Sequence, residues 1–316
     1  MPDTSEVVLA NTAGVALNVN GKTDTIGSLS GGGATGGNIT LGTSGALTVN
    51  QFTFGDFAGV ISGDGSFTKS SYGVLKLSSV NTYTGATAVT GGDLIIKING
   101  GIPNTALSLT GTSRLLLLQS GLSLDVGTLS GEAGALAWLY PNSTLTIGQA
   151  SNATFAGIIK DNTSGAVTKT GSGTLTLSGS NIYKGTTTIS QGTLLLGQGQ
   201  NTIQNSIALY IDSGANLDVA GSYQIFGTLS GSGNINLSLD SGITINQRTF
   251  SNYSGVIGGQ GWITKSGAGV LKLNNVSTYT QQTVLAGGEI IIGVSNALPT
   301  TSALSFSGAS RLLMLE

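Results

Sequence analysis

Three lysines, Lys69, Lys169 and Lys265, stand in matched surroundings, and cations repeated in register are a pattern that can hold an anionic ligand. The chain also carries Asp56, Asp64, Asp93, Asp125, Glu132, Asp161, Asp212 and Asp218, each solitary. Cleavage of a glycan needs paired carboxylates about 5–9 Å apart or acids clustered on a calcium ion. At the repeat spacings described below, Asp64 becomes Ser164 and then Gln260, so no acid pair recurs. The chain has no His and no Cys, which removes the commonest general base, the usual zinc ligands and the thiolate nucleophile.

Asp212-Ser213-Gly214 has the look of a serine nucleophile turn, yet the usual triad cannot be built without His. Gly31-x-Gly33-x-x-Gly36 satisfies a dinucleotide fingerprint in form. That fingerprint needs a helix N-terminus behind it, whereas Asn38-Ile39-Thr40-Leu41 alternates like a strand, so these glycines are expected to form a turn. The glycine-rich patches at 31–37 and 258–261 lack the aspartates of tandem calcium-binding nonapeptides. The expectation is a chain with no catalytic residue, no cofactor and no metal.

The background composition agrees. Fifty-one glycines and 8% charged residues lie far from a globular average, while 39% hydrophobic residues exceed what a disordered chain of this polarity would carry. The net charge is −2 with both signs scattered, so no basic stripe is present to track nucleic acid or an anionic membrane. The opening Met1-Pro2-Asp3-Thr4-Ser5-Glu6 lacks the pattern of a signal peptide, and the leucine run at 115–118 is far below the roughly 18 residues of a membrane helix. No membrane insertion by this segment is expected.

The elements that position these residues recur at fixed spacing. The block Thr68-Lys69-Ser70-Ser71-Tyr72-Gly73-Val74-Leu75-Lys76-Leu77 returns at Thr168 to Leu177 and at Thr264 to Leu273, with Gly173 and Gly269 in the place of Gly73. Behind each copy come Tyr83, Tyr183 and Tyr279, then Gly92, Gly192 and Gly288, all at spacings of 100 and 96. A second signature, Gly27-Ser28-Leu29-Ser30-Gly31, returns at Gly127 and Gly227. Between them lie strands of four or five alternating residues, such as Thr144-Leu145-Thr146-Ile147 and Thr174-Leu175-Thr176-Leu177, and period 2 marks half-buried β-strands.

Internal repetition favours a stacked solenoid over a sandwich or barrel. At roughly 20–25 residues per coil, each unit makes about four or five coils, giving about 13 coils and a rod on the order of 60 Å. Residues 1–316 are expected to form one continuous β-solenoid, with units at approximately 1–105, 106–205 and 206–302 and a further unit beginning at 303–316. Copies four or five coils apart lie roughly 20 Å from one another. The lysines are therefore expected at solvated strand positions, stems along the apolar rungs, and the tyrosines at corners, packed over the neighbouring coil. The acids are expected mostly at corners.

Lys169, Gly171-Ser172-Gly173, the alternating Leu175 and Leu177, Asn181-Ile182-Tyr183-Lys184-Gly185 and the closing Gly192-Thr193-Leu194 closely resemble the autotransporter-associated β-strand repeat of passenger domains. The other two copies depart from it: Ser71 replaces Gly171, Ser277 replaces Asn181 and Gln281 replaces Gly185. The resemblance implies a right-handed parallel β-helix secreted to the surface of a Gram-negative cell, at its outer membrane, serving as a stalk, in adhesion or in biofilm. It implies host-cell or matrix glycans or proteins, or self-association, as partners, and carries over no catalytic residue. A polysaccharide lyase or hydrolase on the same scaffold and a self-assembling filament or matrix subunit are the alternative readings.

Overall fold

A computed structural model describes residues 2–197, 202–203 and 205–315. Every regular element among them is a β-strand, and every strand pairing is parallel. The backbone divides into two compact units, Met1–Gly148 with Phe155–Gly165, and Gln149–Thr154 with Ala166–Glu316.

In the first unit one stack contains Glu6–Leu9, Ser28–Gly31, Phe54–Phe57, Val74–Leu77, Asp93–Ile96, Arg114–Leu117, Leu136–Leu139 and Ile158–Asp161. A second stack runs from Thr23–Ile26 through Ala46–Asn50, Ser66–Ser70, Thr87–Val89 and Ala106–Leu109 to Thr128–Gly131. A third face carries shorter strands, among them Ala16–Asn18, Asn38–Thr40 and Ile61–Ser62. Partners one coil apart are 19 to 26 residues apart in sequence, as in Leu75 beside Leu94 and Gly31 beside Phe57. This is a β-solenoid, and its coils vary in length somewhat beyond the roughly 20–25 residues expected.

The second unit has the same construction. One stack runs from Ala166–Lys169 through Thr186–Ile189, Ala208–Ile211, Thr228–Gly231, Ser251–Tyr253, Val270–Leu273 and Gly288–Ile292 to Ser310–Met314. Another holds Thr174–Leu177, Thr193–Leu196, Asn216–Val219, Asn234–Leu237 and Ile257–Gly259, and a third holds Tyr223–Phe226, Gly242–Asn246, Trp262–Ser266, Thr283–Leu285 and Leu304–Phe306.

Strand alternation sets the core. Leu175 and Leu177 are fully buried while Thr174 and Thr176 face outward, and the stacked rungs Leu75, Leu94 and Leu115 repeat the pattern. The Gly-x-Leu-Ser-Gly signature acquires its reason here. Its last glycine lies beside an aromatic residue of the following coil: Gly31 beside Phe57, Gly131 beside Phe155 and Gly231 beside Tyr253. A Cβ on Gly131 would stand 2.6 Å from the Phe155 ring, so the glycine is the space the ring occupies.

The turn expected at Gly31 to Gly36 is present, with Gly31, Gly32 and Gly37 at positive φ ahead of the strand Asn38–Thr40. The acids differ from expectation: Asp56, Asp93, Asp125, Asp161 and Asp218 lie within strands, and only Asp64, Glu132 and Asp212 lie in turns. On a strand, a carboxylate stands in register with a cation one rung away. Asp56 meets Lys76 at 2.6 Å, and Asp93 holds Arg114 through two bonds of 2.5 and 2.6 Å.

Candidate functional site

Each repeat copy builds one polar corner inside the solenoid. Lys69 is the last inward-facing residue of the strand Ser66–Ser70, which leads its stem into the core. Lys69, Lys169 and Lys265 are each at most 1% exposed, so the expected solvated position is overturned. The chain turns through Ser71, Gly171 or Gly267, all at positive φ, and the turn aims backbone carbonyls inward. The ammonium of Lys69 donates to the carbonyls of Ser71, Gly73 and Gly91 at 2.6, 2.6 and 2.8 Å. That of Lys169 donates to Thr170, Gly171 and Gln191 at 2.8, 2.6 and 3.0 Å. Lys265 donates to Ser266, Gly267 and Gly287 at 3.0, 2.9 and 2.8 Å. Two acceptors come from the lysine's own corner and one from the next coil, so each cation pins two coils together.

A buried ammonium without a carboxylate partner is tolerable only when its donors are satisfied. Three carbonyls match its three protons. Burial still lowers the pKa of all three lysines from 10.5 to about 8, and at Lys69 the nearby Asp93 partly opposes this. Gly92, Gly192 and Gly288 complete the corner at positive φ, and a Cβ on Gly288 would stand 2.8 Å from the Lys265 ammonium nitrogen. Gly73, Gly173 and Gly269 lie flat on the preceding corner, where a Cβ would meet backbone at 2.4 to 2.6 Å.

The structure thus brings each lysine together with its two glycines and sets the tyrosine elsewhere in the coil. Tyr83, Tyr183 and Tyr279 lie between strands, point inward and are at most 1% exposed, and the Tyr83 ring centroid lies 6.1 Å from that of Phe67 on the preceding coil. Each fills the interior where its coil lacks a third strand, and its hydroxyl bonds to Thr87, Thr187 or Thr283. Burial raises the pKa of all three phenols. Asn81 replaces ladder bonds at the same place, accepting from the Ile61 amide at 2.7 Å and donating to the Gly101 carbonyl at 2.7 Å. In the third copy, Ser277 bonds through its amide to the Asn296 carbonyl, and Gln281 donates its side-chain amide to Gln260, so the departures there leave the coil path intact.

Sequence reasoning missed three buried glutamines, Gln51, Gln149 and Gln247. Each lies one coil before a lysine corner, and its carbonyl accepts the amide of Gly73, Gly173 or Gly269 at 2.8 Å. The Gln51 and Gln247 side chains accept the amides of Leu29 and Leu229 at 3.0 and 3.2 Å. Their spacing of 98 residues, twice, was a signal in the sequence.

In the second unit the corners do not lie above one another. Four coils lead up one stack from Lys169 through Ile189, Ile211 and Gly231 to Tyr253, and the chain runs on to the neighbouring stack before it reaches Lys265. Lys169 and Lys265 therefore occupy neighbouring faces of the second unit.

Residues 67–96, 167–196 and 263–292 match the Passenger-associated-transport-repeat family, and each match contains one lysine corner with its tyrosine. Over 293 residues the chain is 32% identical to the adhesin BmaC autotransporter of Brucella suis biovar 1 (strain 1330), an alignment covering 88% of this chain. This chain is autotransporter passenger sequence. The passenger segment spans 8% of the length of that relative. No solved structure matches it. Among the described residues no three acids group as a metal site, and no helix is long and apolar enough to cross a membrane.

Proposed function

We propose that this passenger segment is a stalk and adhesive surface of a secreted protein displayed by a Gram-negative bacterium, that its role is non-enzymatic, and that it binds host or matrix targets. The observation that carries the reading is how the side chains with chemical potential are used. The repeated lysines, tyrosines and glutamines are all buried in the coil interior, and Asp56 and Asp93 are held in ion pairs. What faces outward is mainly Ser, Thr and Asn on strands, which offer many weak, uncharged hydrogen bonds of about 1 kcal/mol each. Adhesion from such a surface is additive over area and over copies. The name of the similar adhesin points the same way.

The test is attachment of host cells to the immobilised segment at low and high ionic strength. Attachment that falls only mildly with salt is expected, because few charges are available to screen. Saturable depolymerisation of a polysaccharide, lost on replacing one acid, would overturn the non-enzymatic reading.

A further inference from the structure

Three aromatic groupings reach the surface, and they differ in what they leave open. Trp138 in the first unit has the Lys160 ammonium 3.9 Å above its ring centroid, so that face is taken. Phe52 and Tyr72 meet edge to face, 72° between planes, and present no shared plane. In the second unit Tyr223 and Trp262 lie nearly parallel, 16° apart with centroids separated by 6.5 Å. At that separation parallel rings are offset and not sandwiched, so each keeps part of a face uncovered.

Their placement follows from the register. Tyr223, Gly242 and Trp262 are partners on three consecutive rungs. Gly242 has no side chain, and a Cβ there would stand 2.2 Å from Trp262 Cε2 and 2.5 Å from its Nε1. The indole therefore lies down on the backbone of Gly242. The Tyr223 hydroxyl is anchored to Thr244 Oγ1 at 2.5 Å on that middle rung, which brings the two rings together as a flat pavement along the sheet.

The surroundings select the ligand. The strands Tyr223–Phe226, Gly242–Asn246, Trp262–Ser266, Thr283–Leu285 and Leu304–Phe306 carry a single charged residue, Lys265, and it is buried. Along Gly242–Asn246, about 13 Å of strand leads from beneath the indole to Asn246. There a groove of about 400 Å³ opens between Asn205, Ile207, Ile225, Asn246 and Arg248. A flat aromatic face suits the axial C–H face of a pyranose, hydroxyl and amide groups beside it suit sugar hydroxyls, and an uncharged field gives no preference for an acidic glycan on the pavement. We propose that Trp262 and Tyr223 form a stacking platform for a neutral pyranose of an oligosaccharide whose next residues run toward the Asn246 groove. The proposal rests on the adhesive reading above and assigns it a place and a ligand class.

The experiment uses the whole chain with Trp138→Phe, which leaves Trp262 as its one indole. Neutral hexamers of glucose, galactose, mannose and N-acetylglucosamine, each in α and β linkage, and a polyuronate hexamer are titrated against its emission. At least one neutral hexamer is expected to shift the emission saturably, without the carboxylates that Arg248 in the groove could pair with in the polyuronate. By calorimetry, Trp262→Ala and Tyr223→Leu should each weaken that hexamer at least tenfold, while circular dichroism and thermal midpoint stay unchanged. Tyr223→Leu keeps Trp262 and guards against a local collapse in the alanine variant. No response to any neutral hexamer, or an affinity in both variants unchanged from the parent, overturns the platform. If cells still attach to the parent chain in that case, the adhesive reading survives. If the parent attaches to nothing, that reading falls and the titration still decides the platform.

Discussion

The ammonium nitrogen of Lys265 lies 2.8 Å from the carbonyl oxygen of Gly287, a residue 22 positions on and one coil further along the solenoid. Lys265→Met keeps the apolar stem and removes the donor, leaving three carbonyls with nothing to accept. A loss of about 3 kcal/mol is expected in urea unfolding. Lys76→Met, which removes the outward ion pair to Asp56, should cost less than about 1 kcal/mol. Equal losses would contradict the pinning role.

Stability should pass through a maximum with pH. Burial holds Lys69, Lys169 and Lys265 at about 8 against 10.5, so between about pH 8 and 10 the unfolded chain keeps lysine protons that the folded chain has released. Stability rises with pH wherever the unfolded state binds more protons. Tyr83, Tyr183, Tyr253 and Tyr279 are shifted upward by burial from 10.0, so above pH 10 the unfolded chain loses tyrosine protons first and stability falls. Urea midpoints at pH 7.5, 10 and 11.5 should therefore be highest in the middle. A steady decline from pH 7.5 would count against it.

Gly131→Ala places a methyl 2.6 Å from the Phe155 ring. Overpacking of this kind costs about 2 kcal/mol. Phe155→Leu combined with Gly131→Ala should recover most of that loss relative to the two single changes added together. A double mutant as poor as the sum would mean that the glycine serves some need other than the ring.

Removal of residues 170–265 joins Lys169 directly to Ser266, replacing one corner sequence by its counterpart. The three faces accept equivalent strands, so the shortened chain should keep its β-type circular dichroism and a cooperative melt. Removal of residues 170–179, about half a coil, should abolish both. Tolerance of the half-coil deletion would show that coil phase is not what holds the stack.

Much of this was legible in the sequence, for physical reasons that also mark where reading stopped. Leu175 and Leu177 alternate with Thr174 and Thr176, and alternation alone tells which side chains are buried. Gly92, Gly192 and Gly288 recur where the backbone needs positive φ. The burial of Lys169 was hidden because its partners are backbone carbonyls, which every residue carries and no sequence pattern displays. The pairing of Asp93 with Arg114 was hidden because coil length varies, from 18 residues between Asn216 and Asn234 to 26 between Gly31 and Phe57. The Trp262 platform depends on Gly242 and Tyr223 lying one and two rungs away, a neighbourhood that exists only once the coils are stacked.

The stepping of the corners from face to face has a rotational consequence. In the second unit the step from Lys169 to Lys265 carries the corner from one of the three stacks to its neighbour, about a third of a turn about that unit's coil axis. The two buried cations therefore clamp that unit's coils from different sides, so that prising one face open leaves the other pin in place.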